Sequence, residues 1–309
     1  MTKPLCRPLA TAFYATALTL SAVAPSGIAV ARNAQDSGAL AGGQGAVSGP
    51  AEGVAAPLDT DGQTYADLVD LAQASPVVVR ATVHRQSKLK PEESPGLAPG
   101  FVRLYIEADT AALLVGPDLG ESLRFLADVP LDARGKVPRL AKAQVLLFGN
   151  VVSGKPGELQ LTASDTMFAW NAGLENQVRA ILTELINPAA PPRITGVREA
   201  LHVPGNLIGE GETQFFFATA NSKPVSISVV RRPGEPTRWG VSFSEIVDQA
   251  AQPPQPRTLA WYRLACSLPP ALPARAGISA TEADNRIAAE DYAQVLHDLG
   301  PCARNRAHR

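Results

Sequence analysis

The run Gly209-Glu210-Gly211-Glu212-Thr213-Gln214-Phe215-Phe216-Phe217-Ala218-Thr219, followed by Val225-Ser226-Ile227-Ser228-Val229-Val230-Arg231-Arg232 and then Arg238-Trp239-Gly240-Val241-Ser242-Phe243, decides how the chain is read. Val225, Ile227 and Val229 alternate with Ser226 and Ser228. Trp239, Val241 and Phe243 alternate with Gly240 and Ser242. An apolar period of two marks strands with one buried face. Asn221-Ser222-Lys223-Pro224 and Pro233-Gly234-Glu235-Pro236 separate the runs as turns, so the stretch predicts a short antiparallel meander.

On its C-terminal side the pattern changes to helices. One is expected over 242–251 with Ser242 or Ser244 as its cap, a second over 258–267 and a third over 281–299. In the last, Thr281 caps, Asp284 stands three residues on, and Gly300-Pro301 terminates. Cys266 and Cys302 flank this helical hairpin. A disulfide between them closes a loop of about 35 residues and contributes about 4 kcal/mol by loop entropy. The tail 303–309 reads as frayed.

On the N-terminal side, Leu174, Val178, Ile181, Leu182, Leu185 and Ile186 form one helical stripe that Asn187-Pro188 ends. Before it come five strand signals, within 77–89, 102–106, 123–129, 145–148 and 159–161. Five strands in about a hundred residues predict a small antiparallel β barrel, for which an OB-like arrangement is one solution. A short helix over 65–74 precedes them. The fold class expected is α+β, divided as 1–31 signal peptide, 32–63 flexible linker, 64–172 barrel-like domain, 173–302 α+β domain and 303–309 tail.

The start of the chain carries an export signal: Lys3 and Arg7, an apolar run from Leu9 to Ala24, and Ala29-Val30-Ala31 before Arg32. No later run is long and apolar enough to span a bilayer, so no transmembrane segment is expected in the mature chain. Cys6 leaves with the signal, and Cys266 and Cys302 remain as an even pair suited to an oxidising compartment, periplasmic or secreted. Removing two positive charges shifts the formal charge from −1 to −3. An acidic chain with 6% aromatic residues lacks the basic footprint of a nucleic-acid binder.

Tyr65-Ala66-Asp67-Leu68, Asp128-Val129-Pro130-Leu131-Asp132, Ile194-Thr195-Gly196-Val197-Arg198-Glu199-Ala200-Leu201-His202 and Trp239-Gly240-Val241-Ser242-Phe243-Ser244 resemble an uncharacterised family of exported bacterial proteins. The resemblance implies export and brings no activity, ligand or site residues.

Chemistry-bearing motifs are sparse. Gly240-Val241-Ser242-Phe243-Ser244 lacks the last glycine of a nucleophile elbow. Gly209-Glu210-Gly211 reads as a turn, because two glutamates would repel a phosphate. His84, His202, His297 and His308 are scattered, with no metal-ligand spacing and no implied cofactor. Two basic groups could meet a cell-envelope protein or an anionic polymer: Arg80, His84, Lys88 and Lys90 on the outer face of one strand, and Arg231, Arg232 and Arg238 around a turn. Tyr105, outward between Arg103 and Glu107, could add an aromatic contact. The expected function is that of an exported binding or scaffold protein. The alternative is a hydrolase, which requires Ser242, His202 and Glu210 to converge in one cleft.

Overall fold

A computed structural model describes residues 62–244 and 251–306. The expected signal peptide, most of the expected linker, residues 307–309 of the expected tail (His308 among them) and much of the helix expected over 242–251 lie outside them.

Among the described residues the fold is α+β, with two antiparallel sheets and four α-helices. The first sheet holds β1 (Val77–Lys88), β2 (Phe101–Val115), β3 (Ser122–Pro130), β4 (Gln144–Val151), β5 (Leu159–Leu161) and β6 (Met167–Ala169). Its order is β3-β2-β1-β4-β5, with β6 also on β4. The ladder does not run round into a closed barrel. Its end strands β3 and β5 meet through one parallel bridge, Arg124 to Glu158. The second sheet is the meander of β7 (Ile194–Pro204), β8 (Gly211–Thr219), β9 (Ser226–Arg231) and β10 (Arg238–Ser242), in order β10-β9-β8-β7. Ser242 therefore ends a strand. The segment 251–253 lies so close to β10 that a Cβ on Gly240 would clash with the Ala251 carbonyl oxygen.

The helices are α1 (Tyr65–Ala74), α2 (Ala172–Ile186), α3 (Leu259–Ala265) and α4 (Glu282–Leu299). Each begins where a side-chain oxygen can accept an otherwise orphaned backbone N–H. Thr64 accepts from Asp67, Asn171 from Leu174, Thr258 from Trp261 and Thr281 from Asp284.

Three apolar cores follow from the strand alternation. The first lies inside the six-stranded sheet and includes Val79, Leu104, Phe125 and Leu147. The second lies between the other face of β1 and β4 and helices α1 to α3, around Val78, Phe148, Leu174 and Tyr262. The third joins the meander to α3 and α4 through Phe215, Ile227, Leu264 and Tyr292. The second core draws on both halves of the sequence.

The C-terminal residues dock firmly. Cys266 and Cys302 form a disulfide. Past it, Arg304 pairs with Asp70 at 2.7 Å and Arg306 with Asp165 at 2.6 Å. The backbone N–H groups of Asn305 and Arg306 donate to the Asp67 carboxylate. Residues 303–306 are thus a strap onto α1 and the first sheet, against the expectation of fraying. Local sequence could not reveal it, because its acceptors stand more than 130 residues away.

Burial pushes the Asp67 carboxyl up, but hydrogen bonds from Thr64, Asn305 and Arg306 outweigh it and hold the group below the usual carboxylate range. Asp128 and Glu175 are lowered likewise, burial opposing and Arg103, or Trp170 and Arg179, prevailing. A carboxylate whose folded pKa lies below its unfolded value stabilises the fold above that unfolded value. The contribution disappears as pH falls through the folded pKa. Urea midpoints should therefore hold from pH 7 to about 5 and fall steeply below about pH 4. Asp67→Asn should flatten part of that fall, and a midpoint that stays level to about pH 3 would reject the assignment.

Candidate functional site

The first sheet opens a groove where its two ends fail to zip. On β2 and β3, Val102, Leu104, Ile106, Leu123, Phe125, Ala127 and Val129 point into the core. The intervening residues form an outward ladder of three cross-strand pairs: Arg103 with Asp128, Tyr105 with Leu126 and Glu107 with Arg124. Arg103 and Asp128 make a forked ion pair, Nε to Oδ1 at 2.7 Å and Nη2 to Oδ2 at 2.9 Å. Leu126 remains 44% exposed, an apolar side chain out of phase with its own strand.

Opposite this ladder stands β5. Backbone N–H groups of Arg124 and Asp128 donate across the seam to Gly157 and Ser164, both at 2.7 Å. Alternate residues of an edge strand turn their N–H and C=O the same way. Leu126, midway between these two donors, therefore turns its own main-chain groups toward the seam. The result is an open groove of about 670 Å3, bounded by Tyr105, Leu126, Leu159 and Leu161, with Arg124 and Lys155 at its edge. Its charges are balanced. Arg103 is paired with Asp128, Lys155 lies 3.4 Å from Glu158, and Arg124 faces Glu107 across the ladder.

The first basic group does not gather. A bulge interrupts β1, where Val83 pairs with Ala108 and Arg85 with Glu107, leaving His84 as the extra residue. One inserted residue moves every later side chain to the other face. Arg80 is accordingly registered with Leu146 of the second core, and Lys88 with Leu104 of the first. Arg80 lies 5.0 Å over the Trp170 ring and 3.3 Å from Glu175, so it is a packing residue. His84, Lys88 and Lys90 are exposed at the far end of the strand.

The second group divides between the faces of the meander. Arg231 turns inward and bonds Asp291 through Nε and Nη2, both at 2.6 Å. Arg232 and Arg238 stay outward and exposed, with Arg238 3.6 Å from Glu235. Asp291 also accepts from the Thr213 hydroxyl, which lies 2.8 Å from His202 Nδ1. That hydroxyl spends its one proton on Asp291, so it accepts from His202 and fixes the Nδ1–H form of the ring. The ring lies so close to Gly211 that a Cβ there would be 2.6 Å from His202 Cε1.

The three residues required for a hydrolase do not converge. His202, Thr213, Val229 and Trp239 form one row across the meander, while Ser242 pairs with Ser226, three residues further along β9. At about 3.3 Å per residue and 4.8 Å per strand, His202 and Ser242 are about 17 Å apart. Glu210 is committed to its own loop, accepting from the Asn206 and Leu207 backbone N–H groups. Among the described residues, no group of three His, Cys, Asp or Glu side chains could hold a metal ion, and no helix is long and apolar enough to cross a membrane.

No protein-family model matches the chain, and no curated protein matches it in sequence.

Proposed function

We propose that this chain is an exported, non-catalytic binding protein of the cell envelope, which holds an extended glycan chain in the groove between β3 and β5. The observation that carries the reading is the Tyr105–Leu126 pair. It sets an aromatic ring and an aliphatic side chain outward beside main-chain hydrogen-bonding groups, in a cleft large enough for a ligand. Paired charges along the groove suit a ligand that offers donors, acceptors and apolar faces together. They do not suit a polyphosphate, which needs surplus cations.

We infer that the first sheet is an OB-like, incompletely closed barrel. Supporting that reading are the strand order β3-β2-β1-β4-β5, a long bulged β1 shared by β2 and β4, and the parallel bridge from β3 to β5. In such barrels the face of the second and third strands, with the loop after the fourth, takes oligosaccharides as well as oligonucleotides. The Cys266–Cys302 disulfide supports an oxidising destination, with the mature chain starting at Arg32.

Co-sedimentation of the mature protein with purified envelope polysaccharide tests the proposal. Tyr105→Ala and Leu126→Ala should each weaken binding about tenfold, the loss of roughly 1.5 kcal/mol of apolar contact. Both lie outside the cores, so thermal stability should hardly change. Unaltered binding by the double variant, or no binding by the wild type, would remove the groove from consideration.

A further inference from the structure

We propose that the Cys266–Cys302 disulfide is an exchange site for an external dithiol, with Cys266 the sulfur attacked and Cys302 the sulfur that leaves. The inference rests on an asymmetry between the two sulfurs. Arg304 Nη1 donates to Cys302 Sγ at 3.0 Å. Among the described residues no cation is placed against the Cys266 sulfur in the same way. The guanidinium is aimed by its surroundings: Arg304 Nε donates to Asp70 at 2.7 Å, and its Cζ lies 6.0 Å from the centroid of the Tyr262 ring. The Tyr262 hydroxyl in turn donates to the other Asp70 oxygen.

A fixed cation lowers the pKa of a neighbouring thiol and stabilises its thiolate. In thiol–disulfide exchange the sulfur whose thiol has the lower pKa leaves faster. Both cysteines are half-buried, neither fully enclosed by the second core they pack against. The donor thiolate attacks Cys266 Sγ, forming a mixed disulfide as the Cys266–Cys302 bond breaks and its electron pair departs on Cys302. The donor's second thiol then loses a proton to solvent and attacks the donor sulfur of the mixed disulfide. Cys266 is released as a thiolate that takes up a proton, and the donor leaves oxidised by two electrons. Exchange frees Cys302 from α3 while its thiolate stays beside Arg304, at the root of the strap that holds Asp67, Asp70 and Asp165.

Reduction of the native, mature protein by dithiothreitol, followed by alkylation of samples over time, reads the rate. Arg304→Gln should slow reduction by roughly three- to tenfold. Arg306→Gln removes a different strap contact, the pair with Asp165, and should leave the rate within about twofold of wild type. In the reduced protein, Arg304→Gln should also move the pH midpoint of Cys302 alkylation upward, which a merely structural contact would not do. Wild-type protein treated with a monothiol and quenched in acid should carry the mixed disulfide on Cys266. An adduct mapped to Cys302, or equal effects of the two arginine variants, would overturn the proposal. The mapping needs no variant and so holds even if Arg304→Gln folds poorly.

Discussion

Asp291→Ala should destabilise the protein by about 3–5 kcal/mol, the loss expected when one partner of a buried ion pair is removed. Asp291 is fully buried on α4 and is the common acceptor for Arg231 and Thr213. Without it, the half-buried Arg231 keeps only Glu290, at 3.6 Å. Thr213 and His202 would then face each other in the core with their chain of hydrogen bonds cut, and unsatisfied buried polar groups add to the cost. Urea unfolding of wild type, Asp291→Ala and the double variant Arg231→Met with Asp291→Leu would measure it. The double variant should lose much less, because it removes both charges and restores apolar volume. A single-variant loss below about 1 kcal/mol would show that this network does not hold α4 on the meander.

Replacing both cysteines by serine should cost about 4 kcal/mol, since the bond closes a loop over a sequence separation of 36. For a domain of this size that is a fall of about 8–16 °C in Tm. The loss should also be visible locally. Cys302 is the covalent root of the strap, and partly buried Cys266 and Cys302 pack against the second core. Freed of the crosslink, residues 303–306 retain only their ionic and hydrogen-bonded contacts to Asp67, Asp70 and Asp165. Limited proteolysis should therefore trim the C-terminus of the serine variant first. Equal resistance in the two proteins would mean that the ion pairs alone hold the strap.

Part of the candidate groove was legible in the chain. Alternation in β2 already placed Tyr105 outward between Arg103 and Glu107. Leu126 carried the same signal, an apolar residue out of phase with Leu123, Phe125 and Val129, but an isolated outward leucine is common on protein surfaces. Its meaning depends on standing opposite Tyr105 and beside the unzipped edge of β3. The basic residues of β1 are divided between faces for a related reason. Even spacing from Arg80 to Lys90 implies one face only if the ladder is regular, and the extra residue at His84 breaks it.

The sequence by itself determined the elements. Period-two runs, the wholly apolar Val145–Phe148 and the Phe215–Phe217 run gave the strands of the first sheet except β6, and three of the four strands of the meander. The periodic apolar stripes and terminal Thr, Gly and Pro residues gave α1 to α4, while most of the helix expected over 242–251 lies outside the described residues. The even pair of cysteines gave the disulfide. These are local features, fixed by the pleat, by orphaned backbone groups and by side-chain type. Tertiary structure alone decided the strand register, the open seam, the inward turn of Arg231 onto Asp291 and the docking of residues 303–306. Each joins residues far apart in the chain, and a side chain's own periodicity carries no information about which distant partner will satisfy it.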